Sequence, residues 1–463
     1  MFHIVLSEDG FKSKQIAAKV RLSIANGDLK SGFKLPSVRE LARSLGISPV
    51  TVAQAYNLLK AEGLIVGEHG SGTRVARDQG RDIGKAILGG IVESGPLNEF
   101  ELLSRSSGVR SLASSIADPS FFRFDEFFAE IQDLRKEPAW NLYLSPPAGE
   151  PKLQAALSNH FAGYGMEISP NEFIATNGSQ HGLHLVLQTL LKPNDTIFVE
   201  GPSRLLLAET ISHLRLKSVS IESDKDGLCI DQVERMMKAH RPKALYCAPC
   251  YGASSGSVMA LERREKLKHL AAAHNMFLIE DFSYGELAFE GSPSLFPRMP
   301  NVVTVGSFSY SLSPAIRQGF LIASEPLARA LASEFRISQI SGIGFVQTIL
   351  GRYLDSGNYR KHLQRTLPKY RSRRDALCSA LRVLSDKGCV WSVPKGGFSV
   401  WVQLPEHRDS ETLYRRALRQ GVAFAPGPLV FSHRNAKRFM RLSFSTMAET
   451  DLRNAVRTLS ELI

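Results

Sequence analysis

The order of apolar and polar positions divides the chain into a short helical beginning and a long body of strands alternating with helices. In residues 12–25, Ile16, Val20 and Ile24 stand four residues apart, the spacing that keeps side chains on one face of a helix. Four of the other positions are basic (Lys12, Lys14, Lys19 and Arg21), and Asn26-Gly27 supplies a stop. The pattern predicts a basic amphipathic helix at the start of the chain.

Two more helices are predicted directly after it. Ser37 with Glu40 three residues later is the pattern of a capping box, in which each side chain bonds to the other's backbone. Gly46 breaks that helix, and Ser48 is placed to cap a third helix over residues 49–60. Two helices joined by a short glycine turn are the plan of a helix-turn-helix.

Two short apolar strands around a glycine-rich tip, residues 63–66 and 67–75, extend this head into a winged form. From residue 1 to residue 76 there are ten Lys or Arg against six Asp or Glu. An excess of positive charge strengthens binding to DNA because counterions are released from the phosphates. The alternative for a small helical head is a dimerisation or docking module, which does not need this charge. We therefore expect a DNA-binding head over residues 9–78 and a partly helical linker over 79–112.

From residue 113 to residue 463 apolar runs alternate with helical segments. The runs cover residues 173–176, 196–200, 244–247, 276–279, 302–305 and 319–323. Runs of this length between helices are typical of a largely parallel sheet covered on both faces. In such sheets, ligands bind beyond the carboxyl ends of the strands.

Composition narrows the class of protein. The 463 residues include 43% apolar and 22% charged side chains, and the net charge of +12 favours a polyanionic partner. No secretory signal or membrane-spanning run is present, so a cytoplasmic location is expected. Five scattered cysteines fit a reducing compartment, and Cys247 with Cys250 has no second pair to complete a zinc site. We expect neither a metal site nor a membrane partner.

The loops after the strands carry side chains suited to an anion. Gly178, Ser179 and Gln180 open a helix directly after a strand, where backbone amides and a hydroxyl can hold a phosphate, although a plain helix cap explains them equally well. A second stretch, residues 306–320, places four serines before Arg317. Hydroxyl donors and a guanidinium can share the oxygens of a phosphate.

Three further residues are candidates for binding a ligand. Asp281 ends an apolar run, where a carboxylate could keep a ring nitrogen protonated, and Tyr284 could donate to a ring oxygen. Arg441 lies within a strand-like run, and an arginine is costly to bury there unless it meets an anion.

The head resembles the GntR-type winged helix over nearly its whole length. The resemblance rests on L-P-S-V-R-E-L-A at 35–42, S-P-V-T-V-A-Q-A-Y-N-L-L at 48–59 and H-G-S-G-T at 69–73. It implies that Arg39 grips phosphate. It also implies that Ser48, Val50, Thr51 and Gln54 face the major groove of double-stranded DNA, and that His69, Gly70 and Ser71 enter as the wing.

The body resembles the fold type I, aspartate-aminotransferase-like architecture, with a smaller C-terminal subdomain. The motifs are T-N-G-S-Q at 176–180, E-G-P at 200–202, I-E-D-F-S-Y-G-E-L at 279–287, G-S-F-S-Y-S-L-S-P-A-I-R-Q-G at 306–319, P-K-G-G-F-S-V-W at 394–401 and R-L-S-F-S at 441–445. A GntR head on this body is similar to the MocR subfamily of transcriptional regulators. That family implies a head-to-tail homodimer that binds pyridoxal 5'-phosphate and senses an amino compound.

The resemblance assigns each candidate a role. Ser179, Ser307 and Arg317 would hold the phosphate, Asp281 the pyridine nitrogen and Tyr284 the ring oxygen. Arg441 would bind an effector carboxylate, and Arg204 is expected to contact the effector too. The other expected cofactor-binding residues are Gly178, Gln180, Ser309 and Tyr310. The position of the Schiff-base lysine, however, is Tyr310, and a phenol cannot form an imine. The usual N-P-T-G turn reads Ala-Ser-Ser-Gly at 253–256. Arg204 replaces the usual aromatic residue, although a guanidinium can still stack on a ring.

Three functional readings follow, and the residues leave them open. The first is a DNA-binding regulator whose catalytically inactive body senses a ligand: noncovalent pyridoxal or pyridoxamine phosphate, an adduct with an amino acid, or another small anion. The second is a regulator whose body is a dimerisation scaffold without cofactor. The third is an active aminotransferase that uses a displaced lysine, with Lys395 as the candidate.

Overall fold

The structure of the chain is a computed structural model. It describes residues 12–25, 29, 32–61, 64–68, 72–75, 109–134, 144–204, 206–252, 254–431 and 435–463. The chain separates into two compact units, Met1–Gly95 and Pro96–Ile463. Most of the predicted linker lies outside the described residues, and the domain boundaries drawn from the sequence stay predictions.

The head contains the three helices that the sequence predicts. They are α1 (Lys12–Ala25), α2 (Val38–Leu45) and α3 (Pro49–Ala61). The capping box is formed: the Ser37 amide donates to Glu40 Oε2 at 2.8 Å, and the Glu40 amide donates to Ser37 Oγ at 3.2 Å. Gly46 ends α2 in the left-handed conformation, with φ of 64°, which a residue without Cβ adopts freely.

One face of α3 forms the core of the head. Val52, Ala55 and Leu59 are buried there with Ile16 and Val20 of α1. The wing strands, β1 (Ile65–Glu68) and β2 (Gly72–Val75), pair antiparallel. We expected the second strand to begin at residue 67, but residues 67 and 68 extend the first strand because they pair across the ladder with residues 73 and 72.

Eight strands of the described body form its main sheet. They are β4 (Phe173–Thr176), β5 (Thr196–Gly201), β6 (Lys217–Asp224), β7 (Gly227–Leu228), β8 (Ala244–Cys247), β9 (Phe277–Asp281), β10 (Val302–Ser307) and β11 (Gly319–Ala323). Their order across the sheet is β4-β11-β10-β9-β8-β5-β6-β7. The central pairs from β10 to β6 are parallel, and the pairs at both ends are antiparallel. The sheet is therefore mixed but mostly parallel, as predicted.

Helices cover both faces of this sheet. They are α4 (Phe124–Leu134), α5 (Pro151–Ala162), α6 (Ser179–Leu190), α7 (Leu207–His213), α8 (Ile230–His240), α9 (Leu261–Ala273), α10 (Phe308–Ser311), α11 (Glu325–Gln339), α12 (Gly344–Asp355) and α13 (Asn358–Ser385). Neighbours on β11 show the two-sided burial: Leu321 packs in one core with Leu183 of α6, and Phe320 packs in another with Leu157 of α5. No helix in the described part of the chain is long and apolar enough to cross a membrane.

A smaller sheet organises the C-terminal part. Its strands are β3 (Arg110–Leu112), β12 (Val390–Trp391), β13 (Ser399–Gln403), β14 (Val422–Pro426) and β15 (Phe439–Ser443), in the order β12-β13-β15-β14-β3. Helices α14 (Ser410–Arg419) and α15 (Glu449–Leu462) accompany it. The sequence placed residues 110–112 in the linker, but they pair in parallel with β14, a long-range contact that local periodicity does not reveal.

Candidate functional site

The carboxyl ends of the central strands open onto a cavity of about 260 Å³. Its lining combines the ends of the main sheet with a segment that follows β3: Ala113, Ser114, Ser115, Ile116, Ser179, Gln180, Arg204, Leu206, Asp281, Ser283, Tyr284, Ser309, Tyr310, Pro314, Arg317 and Arg441. Residues that are far apart in sequence meet here because parallel strands bring their following loops to one edge. Of the predicted ligand-binding residues, Gly178 and Ser307 are not in this lining.

Asp281 ends β9 and is buried at the floor of the cavity. Its Oδ1 accepts the amide of Ser283 at 2.9 Å. Its Oδ2 accepts the hydroxyl of Tyr246 at 2.5 Å and Nη1 of Arg204 at 3.2 Å. Burial, and then the Asp281 charge, raise the pKa of the Tyr246 phenol well above its ordinary value, so this phenol stays a donor. Both carboxylate oxygens thus have partners within the chain.

Arg204 follows β5 and points across the cavity. Besides its ion pair with Asp281, it donates from Nη2 to Ser179 Oγ at 3.0 Å. Its side chain is only 10% exposed. Burial alone would lower the pKa of this guanidinium, but the Asp281 charge raises the pKa above its ordinary value. Arg204 is therefore a fixed cation that connects the carboxylate at one end of the cavity with the hydroxyl at the N-terminus of α6.

The N-terminus of α6 and Arg317 form the anion-facing side. Gly178 has φ of 87°, and a Cβ on it would lie 2.8 Å from Nη2 of Arg317, so the close approach requires glycine. Arg317 Nη2 donates to the carbonyl of Asn177 at 2.9 Å. Ser307 Oγ accepts the amide of Ser309 at 3.1 Å and caps α10. Of these two serines, Ser309 lines the cavity and Ser307 does not.

Tyr310 lies on α10 and packs against Tyr284. Their ring centroids are 4.4 Å apart, with 31° between the planes. The Tyr284 hydroxyl donates to the carbonyl of Ser115 at 3.2 Å, and burial raises its pKa well above the ordinary value. The Tyr310 hydroxyl makes no hydrogen bond to any described residue. At the expected place of an amine, the chain thus offers a phenol that packs at a tilt against a second ring.

Arg441 lies on β15 and is 4% exposed. Its Nη2 donates to the carbonyl of Ala113 at 2.8 Å, and its Nε has no partner. Within the described ranges no carboxylate pairs with it, and burial lowers its pKa. A buried cation with so few partners is costly to the fold, which is the situation expected of a residue that waits for an anion.

Unpartnered buried polar atoms concentrate in this cavity. Gln180 Oε1, Ser283 Oγ, Ser309 Oγ and Arg441 Nε all lack a hydrogen-bond partner and all belong to lining residues. Buried polar atoms normally have partners, so a group of four around one space indicates a polar ligand. Acceptors and donors are both present among them.

Pyridoxal 5'-phosphate, the group implied by the resemblance, fits only one end of the site. The α6 N-terminus, Ser309 and Arg317 suit a phosphate. At the other end, Asp281 is already paired with Arg204, and no lysine is present among the described lining residues. The residues therefore do not fit the whole cofactor in the arrangement that the resemblance implies.

The predicted DNA-reading residues within the described part of the head belong to α2, to α3 and to the turn before α3. Arg39, Ser48 and Gln54 are exposed, Thr51 is half-buried, and Val50 is 66% exposed. Ser48 caps α3 by accepting the Thr51 amide at 3.3 Å. His69, Gly70 and Ser71 lie outside the described residues, so the wing stays a prediction.

The sequence reasoning missed Tyr246, Ser283 and the segment 113–116. Tyr246 is a polar side chain inside the otherwise apolar strand β8, and that exception could have indicated a site. Ser283 stands between two residues that the sequence did single out. The segment 113–116 reaches the cavity only because β3 joins the smaller sheet, and nothing in its composition signals this.

Comparison with known families separates the same two parts. Residues 12–75 match the family of bacterial regulatory proteins, gntR family, and residues 115–459 match aminotransferase class I and II. An uncharacterised HTH-type transcriptional regulator of Escherichia coli, YdcR, is 29% identical over 98% of this chain and 99% of its own length.

Aminotransferases match the body alone. Aromatic-amino-acid aminotransferase 1 of Thermococcus litoralis is 30% identical over 80% of this chain and 92% of its own length. Among solved structures, a multiple substrate aminotransferase from Thermococcus profundus has a TM-score of 0.76 and 29% identity, and covers 81% of this chain and 95% of its own. The regulator therefore shares both parts of the chain, and the enzymes share one.

Proposed function

This chain belongs to the aminotransferase class I and II family and carries a GntR-type head, and from that premise we propose that it is a DNA-binding transcription regulator whose body senses a small ligand without an imine. The observation that carries the proposal is a cavity lined by Asp281, Arg317, Arg441 and Tyr310, the residue that the motif resemblance puts where an aminotransferase has its lysine. A regulator from Escherichia coli that aligns over nearly the whole chain supports the first half. We also propose the head-to-tail homodimer.

Sensing needs a ligand that binds one arrangement of the protein more tightly than another. A ligand without that difference in affinity shifts no equilibrium, however tightly it binds. In this proposal the two arrangements are two placements of the DNA-binding heads. Arg441 and the α6 N-terminus with Arg317 hold the ligand from opposite sides of the cavity, and Tyr310 contacts it without a covalent bond. Noncovalent pyridoxal or pyridoxamine phosphate is one candidate ligand, and other small anions are the alternative.

The active-enzyme reading has little support in the geometry. Lys395, the proposed substitute for the missing lysine, is exposed and is not among the cavity-lining residues. Its backbone carbonyl instead accepts the amide of Phe289 at 2.9 Å. Turnover of any amino donor with a keto acid by the purified protein would restore the enzyme reading.

The scaffold reading predicts no response to ligands. A ligand that binds the folded state must raise its stability by mass action, so thermal shifts separate sensor from scaffold. We expect at least one small anion to raise the melting temperature of the full chain. A flat response across pyridoxal phosphate, pyridoxamine phosphate, amino acids and dicarboxylates would favour the scaffold.

DNA binding is tested with variants of the exposed face of the head. Arg39→Ala removes a predicted phosphate contact, so binding to the protein's own promoter region should weaken and the dependence on salt concentration should become shallower. Arg329→Ala is the matched control, because Arg329 is an exposed arginine of the body. Equal binding by both variants and the wild type would show that the helix-turn-helix contacts are misplaced.

A further inference from the structure

We propose that the Arg204–Asp281 ion pair replaces the pairing between a protein carboxylate and a ring nitrogen, so that the cavity selects a small dianion without a basic ring. This inference rests on the proposed sensing function and names the class of ligand. Suitable ligands carry a phosphate or two carboxylates, and they need no pyridine.

The first argument is the position of the guanidinium. Arg204 contacts Asp281 with one terminal nitrogen, at 3.2 Å, and Ser179 with the other, at 3.0 Å. The motif resemblance assigns these two residues to opposite ends of a bound cofactor, Asp281 to the pyridine nitrogen and Ser179 to the phosphate. One planar side chain spans both, and its fork geometry suits two simultaneous contacts. A pyridine ring cannot reach Asp281 while Arg204 stays there.

The second argument is that the pair is built into the fold. Asp281 is 4% exposed, and besides Arg204 it accepts the hydroxyl of Tyr246 and the amide of Ser283. A buried carboxylate that is already paired with a guanidinium does not need a cation from a ligand to offset its charge. The Asp281 charge is therefore neutralised before any ligand arrives.

The third argument is the charge that remains. The described lining contains three arginines and one carboxylate. With Arg204 and Asp281 neutralising one another, Arg317 and Arg441 are left without a carboxylate partner in the part of the chain that the structure describes. Of the four unpartnered atoms around the cavity, Arg441 Nε belongs to one of these cations, the Ser283 and Ser309 hydroxyls add neutral donors, and Gln180 Oε1 adds an acceptor. Two unpaired cations with nearby hydroxyls match a dianion.

Two phosphate esters, one with and one without a ring nitrogen, test the proposal on the full chain through the ratio of their affinities. Pyridoxamine 5'-phosphate has a pyridine ring, and phenyl phosphate has a benzene ring of similar width. Calorimetric titration gives the dissociation constant of each for the wild type and for Arg204→Ala. In the wild type, phenyl phosphate should bind at least as tightly as pyridoxamine 5'-phosphate. In Arg204→Ala the freed Asp281 should shift the ratio at least tenfold towards pyridoxamine 5'-phosphate.

Each outcome decides the proposal. A wild type that prefers pyridoxamine 5'-phosphate by tenfold, or a ratio that Arg204→Ala leaves unchanged, overturns it, because Arg204 would then coexist with the ring. Binding of neither ester, nor of succinate, by the wild type also overturns it. If Arg204→Ala fails to fold, Arg204→Gln replaces it, and the wild-type ratio still decides.

Failure of the sensing function gives a different result. The wild type could bind phenyl phosphate or succinate while its affinity for promoter DNA stays the same with and without that ligand. That result would support the proposed ligand class and refute the sensing function. If promoter binding responds to pyridoxamine 5'-phosphate alone, the sensing function is supported and the proposed ligand class is refuted.

Discussion

Replacing Arg441 by methionine should remove the ligand response without unfolding the protein. Arg441 is 4% exposed, donates one hydrogen bond to the Ala113 carbonyl and leaves Nε without a partner. Methionine keeps the unbranched apolar stem and removes the charge. If the role of Arg441 is to bind an anionic ligand and not to stabilise the fold, the folded protein should tolerate this change.

The magnitude follows from two opposing contributions. Replacing a buried, poorly paired charge by an apolar side chain of similar volume is often neutral or stabilising by about 1–4 kcal/mol. Leaving the Ala113 carbonyl without its donor costs about 1–3 kcal/mol. The free energy of unfolding of Arg441→Met should therefore lie within roughly 3 kcal/mol of the wild type, as the difference between these ranges.

Arg264 provides a matched control, because it is also 4% exposed. Its nitrogens donate to the Met259 carbonyl at 3.2 Å, to the Pro249 carbonyl at 2.9 Å and to Ser294 Oγ at 2.8 Å. Arg264→Met leaves all three acceptors without this donor, so we expect a loss of at least ~3 kcal/mol. The two variants differ in the number of hydrogen bonds, not in burial.

Scanning calorimetry of the full chain, read at the unfolding transition of the body, measures both variants. The expected pattern is a transition near the wild-type temperature for Arg441→Met and a clearly lower one for Arg264→Met. The stabilisation of the wild type by succinate should be absent from Arg441→Met. A loss of stability in Arg441→Met as large as that in Arg264→Met would refute the reasoning, because Arg441 would then be structural.

Three further predictions address the head, the carboxylate next to Asp281 and the packing of β10. Ser37→Ala should lower the stability of the head by ~1 kcal/mol because the capping box is lost. Urea unfolding monitored by circular dichroism measures this loss, and Ser48→Ala, which removes the exposed cap of α3, serves for comparison. Burial raises the pKa of Glu280 to about 7, so its neutral form favours the fold at acid pH and that contribution is lost as pH rises from about 4.5 through 7. Glu280→Gln should therefore gain stability relative to the wild type between pH 5 and pH 8, by up to ~3 kcal/mol, and an unchanged difference would contradict a raised pKa. Gly306→Ala should destabilise the body by ~1–3 kcal/mol or more in thermal unfolding, because the added Cβ would lie 2.1 Å from the Phe320 ring.

The sequence predicted the local elements well where a physical rule acts over a few residues. The capping box at Ser37, the turn at Gly46 and the strand that ends in Asp281 all depend on neighbours within one turn or one run. The mostly parallel sheet also followed, because short apolar runs between helices have few other arrangements. Motif resemblance then indicated which loops gather at the sheet edge.

Long-range pairing was beyond sequence reasoning. Residues 110–112 carry no strand pattern of their own, and they form a strand because β14 offers its edge. The Arg204–Asp281 contact likewise joins residues 77 positions apart, and neither residue alone indicates the other. The sequence showed that Arg204 departs from the family pattern, but only the geometry shows what it contacts.

Trapping with borohydride tests the central claim most directly. The purified full chain is incubated with pyridoxal 5'-phosphate, reduced, digested and analysed by mass spectrometry. If Tyr310 stands at the lysine position, as we propose, no single internal lysine should carry a stoichiometric phosphopyridoxyl group, since a phenol cannot form the imine that borohydride reduces. A stoichiometric adduct on one internal lysine would contradict the account and would favour a catalytically active aminotransferase body.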